Sequence, residues 1–188
     1  MALSATRYEY RIALSHVDAG VQEELTLVAA RHPSETAEHL SLRVLAHCLL
    51  MREGIGFGPG LSDGDASDLE ARDAMGRVSL WVECGAVEAG KLKKVVQANA
   101  GAEVHVVLGD ERRRRELLEG VAALPHGIKD KDRVTLWRIS PALVTSLAAH
   151  EDRRQKWSLT IVGGHLYVEV DGEHLDGEAS SGPLEGDA

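Results

Sequence analysis

Between Glu83 and Ala149 the chain alternates short apolar runs with segments of helical period, and this order leaves few folds open. Residues 87–98 place Leu92, Val95 and Val96 on one helical face, and residues 104–108 are an apolar run of strand length. Asp110 can cap a basic-acidic helix through Leu118, residues 134–139 read as another strand, and Ser140-Pro141 opens a helix to about Ala149. Strands separated by helices are joined by crossovers, so at least one pair is parallel. The expected fold is α/β, or mixed α+β, with a central mixed sheet flanked by helices.

The remaining segments read as antiparallel pairs. Tyr8, Tyr10, Ile12 and Leu14 alternate within residues 6–14, Leu25 and Leu27 do so within 22–29, and Asp and Gly between them suit a turn. Residues 157–162 and 166–170 form a second hairpin across Gly163-Gly164. His32-Pro33-Ser34-Glu35-Thr36 reads as a helix start, with Ser34 as the cap and Glu35 and Glu38 at the positive end of the dipole. That helix runs to about Arg52, with Leu40, Val44, Leu45 and Leu49 as its core-facing stripe. The glycine-rich residues 54–64 have no Gly-Lys-Ser/Thr ending and no buried strand before them, so neither phosphate-loop pattern applies. From Gly172 the composition turns to Gly, Ser, Asp and Glu, which predicts an acidic, disordered tail over residues 171–188. One domain over residues 1–170 accounts for the rest.

Charge and cysteines narrow the function classes. The formal charge is −9, but seven acidic residues and no Lys or Arg lie from Glu169 onward. The body from Met1 to Val168 therefore sets 21 basic against 30 − 7 = 23 acidic groups, a net of −2. Basic residues cluster at Lys91/Lys93/Lys94, Arg112 to Arg115, Lys129/Lys131/Arg133 and Arg153/Arg154/Lys156, each more often a solvated face than a binding patch. With no long apolar run and no basic-then-apolar leader, no membrane association is expected and a cytoplasmic location is. Cys48 and Cys84 have neither disulfide nor metal-site spacing and suit buried thiols. Among nine histidines none stands at His-x₃-His spacing, and His32, before its helix, either reaches the site or bonds the loop backbone, the structural role being favoured. Trp81, Trp137 and Trp157 lie in expected strands, where packing outweighs base stacking.

The pattern nearest to chemistry is a carboxylate pair. A hairpin turning at Met75-Gly76 pairs residues whose numbers sum to about 151, setting Asp68 opposite Glu83, with Trp81 on the Glu83 face. Like charges so placed repel unless a cation lies between them, and Mg²⁺ takes one or two carboxylates with water on its other positions. The ordinary alternative is a solvated pair on the polar face of a hairpin. Asp73 is the alternative acid, ranked below Asp68 because it sits beside the turn and would lie far along the strand from Glu83.

Several segments resemble the YaeQ family of small bacterial proteins: Met1-Ala-Leu-Ser-Ala-Thr, Ala30-Arg-His-Pro-Ser-Glu-Thr36, Phe57-Gly-Pro-Gly-Leu61, Leu80-Trp-Val-Glu-Cys-Gly85 and the Lys93-Lys94 helix start. The resemblance runs from Met1 to about Val170. It implies a restriction-endonuclease-like core of the PD-(D/E)xK nuclease-like superfamily: helix, three-stranded meander, helix and strand. It further implies Asp68 and Glu83 as catalytic acids and metal ligands, the Cys84 carbonyl as a third donor, and Glu35 as an auxiliary acid. The superfamily lysine two residues after the second acid is absent, since that position is Gly85, and the resemblance implies Lys94 or Lys93 instead. With Leu92 at zero, Lys93 lies about 100° round the helix and Lys94 about 200°, so the resemblance favours Lys94 and the wheel favours Lys93. Ser67 and Glu70 replace the family's usual Pro and aromatic around the first acid. The implied activity is a Mg²⁺-dependent nuclease or phosphodiesterase with nucleic acid as partner. The alternative is a non-catalytic scaffold that binds nucleic acid or a protein.

Overall fold

The computed structural model describes residues 5–58, 64–150 and 152–185, so residues 59–63 of the glycine-rich loop and both extreme termini lie outside it. The chain runs β1 (Thr6–His16), β2 (Val21–Arg31), α1 (Ala37–Leu49), β3 (Gly56–Phe57), β4 (Leu69–Arg72), β5 (Val78–Cys84), α2 (Ala89–Ala98), β6 (Glu103–Leu108), α3 (Glu111–Ala122), β7 (Val134–Ile139), α4 (Pro141–Ala149), β8 (Arg154–Val162), β9 (His165–Val170) and β10 (Glu173–Pro183).

All ten strands join one sheet in the order β2-β1-β8-β9-β10-β7-β6-β5-β4-β3. The pairs β5–β6 and β6–β7, each separated by a helix, are parallel as the strand-helix alternation requires. The β1–β2 and β8–β9 hairpins are antiparallel, and β1 lies parallel to β8, which joins the amino-terminal hairpin to the carboxyl-terminal one.

Two elements differ from the sequence expectation. The stretch read as an acidic disordered tail forms β10, whose first half pairs with β9 and whose second half pairs with β7. It therefore lies in the middle of the sheet. Its inward residues are small because α4 presses on it: a Cβ at Gly177 would sit 2.6 Å from Ser140 Cβ and 2.9 Å from Leu143 Cβ. A composition poor in large apolar side chains here reflects close backbone approach rather than a lack of structure. The first helix also starts later than expected and ends sooner. Thr36, not Ser34, is its cap, accepting the His39 backbone N–H, and the last helical residue is Leu49.

α1 is buried all round from Leu40 to Leu49 rather than along one stripe, because it packs against β1, β2, β5, β6 and α4 together. The apolar body around it takes Tyr10, Ile12 and Trp157 from one end of the sheet and Leu69, Val82 and Val107 from the other. A second body lies on the opposite face, where Leu92, Val96 and Leu117 of α2 and α3 meet Val104, Val106, Val134 and Leu136. Strands β6 and β7 are thus covered on both faces, and each sends apolar side chains to both bodies, Val106 and Val107 from β6 and Leu136 and Ile139 from β7. The carboxyl ends of β5 and β6 open between the starts of α1, α2 and α3, and there the sheet carries its polar cleft.

Candidate functional site

The cleft has a volume of about 790 Å³. It is bounded by His39 of α1, Asp68 before β4, Glu83 to Gly85 at the end of β5, Lys91 and Lys94 of α2, and Arg113 of α3. Asp68 and Glu83 are brought together by the expected register: Leu69 pairs with Val82, Glu70 with Trp81 and Ala71 with Leu80, before a bulge at Ala71/Arg72. The ladder continues one step further, as Asp68 N–H donates to the Val82 carbonyl at 2.9 Å.

Each carboxylate has its own partners. Asp68 is buried; its Oδ2 accepts the Cys84 backbone N–H at 2.8 Å, and its Oδ1 lies 3.5 Å from Arg43 Nε and 3.7 Å from His39 Nε2. Glu83 Oε1 accepts from Trp81 Nε1 at 2.8 Å, and Oε2 accepts from Lys91 Nζ at 2.8 Å. Burial raises the Glu83 pKa, and the hydrogen bonds from Lys91 and Trp81 offset this only in part.

Behind the cleft lies a buried ionic column on α1. Glu35, just before the helix, accepts from His39 Nδ1 at 2.7 Å and from Arg43 Nη1 at 3.1 Å. His39 Nε2 also lies 3.1 Å from the Cys84 carbonyl. A carboxylate and a carbonyl are both acceptors, so this geometry calls for a doubly protonated imidazolium. Burial works to lower the His39 pKa, but the hydrogen bond to Glu35 and the charges of Asp68 and Glu35 outweigh it and raise the value. Burial likewise acts to raise Glu35, and the His39 hydrogen bond and the Arg43 charge leave it lowered. Arg43 is wholly buried, with its guanidinium 5.3 Å over the Phe57 ring. Glu35, expected as an auxiliary acid, thus sits behind His39 and does not line the cleft.

Of the two lysines expected, Lys94 reaches the cleft and Lys93 does not, and the lysine bonded to Glu83 is Lys91. Lys93 turns away and donates to the Pro125 carbonyl at 2.8 Å. Lys94 lines the cleft, and Lys91 holds Glu83 and lies 3.3 Å from the Ala66 carbonyl. Residues three apart on a helix share a face, so Lys91 and Lys94 rim the cleft together while Lys93 falls on the other flank. Gly85 shows why no lysine follows Glu83 on the strand. Its φ is +73°, and a Cβ there would lie 3.1 Å from His39 Cδ2.

Two residues of the site, His39 and Arg43, were not singled out by sequence reasoning, and Lys91 was named only within the Lys91/Lys93/Lys94 cluster. The signal for both was present: Glu35, His39, Arg43 and His47 recur every four residues, which places them in one column along a helix. His32 keeps to a structural role, with Nδ1 2.6 Å from Ser34 Oγ. Cys48 and Cys84 are both buried, and burial pushes the Cys48 thiol up to about 12.

Among the described residues, no three His, Cys, Asp or Glu side chains are grouped to hold a metal ion. The donors at hand are two carboxylates and the Cys84 carbonyl. This all-oxygen set suits a hard divalent cation that completes its shell with water.

Among the described residues, a large mixed sheet of ten strands with four α-helices defines a mixed α+β protein whose cleft opens at the carboxyl ends of β5 and β6. The family model described as YaeQ protein matches residues 1–178, and the chain belongs to the YaeQ family. It is 26% identical to the uncharacterized protein YaeQ of Escherichia coli (strain K12) over 176 residues, 94% of each chain. It is 35% identical to that of Salmonella typhi over 94 residues, 50% of this chain and 52% of the relative. Among solved structures, the YaeQ protein from Pseudomonas syringae superposes with a TM-score of 0.81 at 26% identity, covering 97% of both chains. The YaeQ protein from Xanthomonas axonopodis pv. citri superposes at 0.82 with 22% identity, over 95% of this chain and 98% of that one, a likeness of fold alone. Among the described residues, no helix is long and apolar enough to cross a membrane.

Proposed function

We propose that the cleft hydrolyses a phosphodiester with the help of a divalent cation, of which Mg²⁺ is the leading candidate. The observation that carries this reading is the convergence of Asp68, Glu83 and Lys91 on one cleft, two acids and one lysine from three consecutive elements. The order α1, β3–β4–β5, α2, β6 also fits the helix, meander, helix and strand of the nuclease-like superfamily that the sequence resembles.

Asp68 and Glu83 would hold the ion, which when bound would acidify a water and offset charge on phosphoryl oxygens. Each of the chain's own residues has a part. Lys91, fixed between Glu83 and the Ala66 carbonyl, holds the Glu83 carboxylate in place and sets a positive charge beside it. Arg43 and His39 fix Asp68 from behind, and Glu35 holds both of them. Trp81 keeps Glu83 in one rotamer from the α2 side.

One observation favours a second reading, in which the scaffold binds nucleic acid or protein without cleaving. Glu83 is already paired with Lys91, and Asp68 lies beside Arg43 and His39, so the charges of the cleft are compensated by the chain itself. Calorimetric titration of Mg²⁺ and Mn²⁺ into wild type and Glu83→Ala separates the two. The hydrolase reading expects ion binding in the wild type, and loss of both binding and cleavage of single-stranded or duplex nucleic acid in the variant. A wild type that binds neither ion supports the second.

A further inference from the structure

We propose that the cleft takes a small organic phosphoester, the size of a mono- or dinucleotide, whose phosphate is held by Lys94 and Arg113 across from Asp68 and Glu83. The inference rests on the hydrolase reading for its chemistry, and it concerns which substrate the site admits.

Charge is the first argument. The described lining carries six carboxylates against three Lys or Arg side chains, and Lys91 is already engaged by Glu83. That leaves Lys94, exposed on α2, and Arg113, whose Nη1 donates to Glu116 at 3.1 Å at the rim. A duplex carries one negative charge for roughly every 1.7 Å of its axis, and its binding depends on several phosphates being neutralised at once. Two basic groups can compensate one phosphate, not a track of them, and the net charge of −9 adds no steering for a polyanion.

The lining supplies the second argument. No Phe, Tyr or Trp is among the described residues around the cleft, so a long single strand would find no stacking platform there. Instead, Leu42 and Val144 line an apolar corner beside Gly109, closed tightly enough that a Cβ at Gly109 would sit 3.3 Å from Val144 Cγ2. An anion-holding wall, an acidic floor and one apolar corner within about 790 Å³ suit an organic phosphate of limited size.

The test measures binding of a fluorescent dinucleotide and of a long duplex bearing the same label, in Ca²⁺ to slow turnover and then in Mg²⁺ to read cleavage. The expected result is that the dinucleotide binds at least as tightly as the duplex. Lys94→Ala and Arg113→Ala should each weaken it by roughly tenfold, while Arg115→Ala, exposed on the same helix, leaves it unchanged. A duplex that binds more tightly than the dinucleotide overturns the inference, as does a dinucleotide whose affinity ignores Lys94 and Arg113 or that does not bind at all. Dinucleotide bound through these residues but never cleaved in Mg²⁺ or Mn²⁺ would sink the hydrolase reading and leave this one standing. Duplex bound preferentially and cleaved would do the reverse.

Discussion

His47 closes the polar column of α1 in an apolar setting, with its ring stacked 5.3 Å from that of Phe57. Burial lowers its pKa from 6.5 to about 4, so in the folded protein it stays neutral well into acid. The unfolded chain takes up a proton near pH 6.5 that the folded chain does not take up until about pH 4. Stability from this residue is therefore complete above pH 6.5 and falls as the pH drops towards 4, by a total on the order of 3 kcal/mol. His39, with its pKa raised, works in the opposite sense, its contribution being lost as the pH rises through the folded value. Urea denaturation of wild type and His47→Gln at a series of pH values isolates the first effect. The stability difference between them should change steadily from pH 6.5 to 4, with the wild type losing more, and equal slopes would show that His47 is protonated in the fold. Gly85 is the other position where one residue shapes the cleft: its lack of a Cβ leaves room for the His39 ring at the end of β5, and the lysine bonded to Glu83 comes from α2.

At the scale of the element, α1 carries its charged groups inward. A buried ion pair is costly to assemble and costlier to break, since removing one partner strands the other. Arg43→Met leaves the Glu35 carboxylate with His39 and the His32 backbone N–H and takes the guanidinium from beside Asp68, and a loss of about 3–5 kcal/mol is expected by urea denaturation. Adding Glu35→Gln to that variant should recover part of the loss, and strict additivity in the double-mutant cycle would mean the two do not interact. This helix was legible in outline: its place, its acidic start and its apolar residues all follow from the sequence. Its polar column showed as a four-residue repeat but its burial did not, because a helical template assigns polar residues to solvent, whereas here the sheet packs around the helix and leaves no solvent face from Leu40 to Leu49. In α2 the periodicity identified the buried stripe of Leu92, Val95 and Val96 correctly. The wheel alone placed Lys93 nearer to the sheet and could not show that the cleft opens on the flank of Lys91 and Lys94.

For the whole molecule, pairings that are local in sequence were readable, and those that close the sheet were not. The hairpins, the parallel crossovers and the Asp68–Glu83 register follow from turn residues, strand-helix order and alternation. The β1–β8 pairing and the insertion of β10 between β9 and β7 join segments with no periodic signal linking them. β10 also hides its nature, since its buried positions are Gly177 and Ala179 and its acids face outward. A chain ending at Asp171 makes the sharpest test of this architecture. If the segment were a disordered tail, truncation would leave melting temperature and chemical-shift dispersion unchanged. As the fifth of ten strands, β10 supplies both inner edges of the sheet, and its loss would leave β9 and β7 with unpaired N–H and C=O groups facing each other across a gap. It would also remove the surface under the start of α4, which packs with α1 and so supports the wall that carries His39. The truncated chain is expected to lose cooperative thermal unfolding and dispersed amide resonances, and with them any affinity of the cleft for ions or phosphoesters. Full-length Gly177→Val should reproduce the defect in milder form, because its side chain enters space held by Ser140 and Leu143. Wild-type melting in both proteins would mean that the two halves of the sheet are held together by their helices alone.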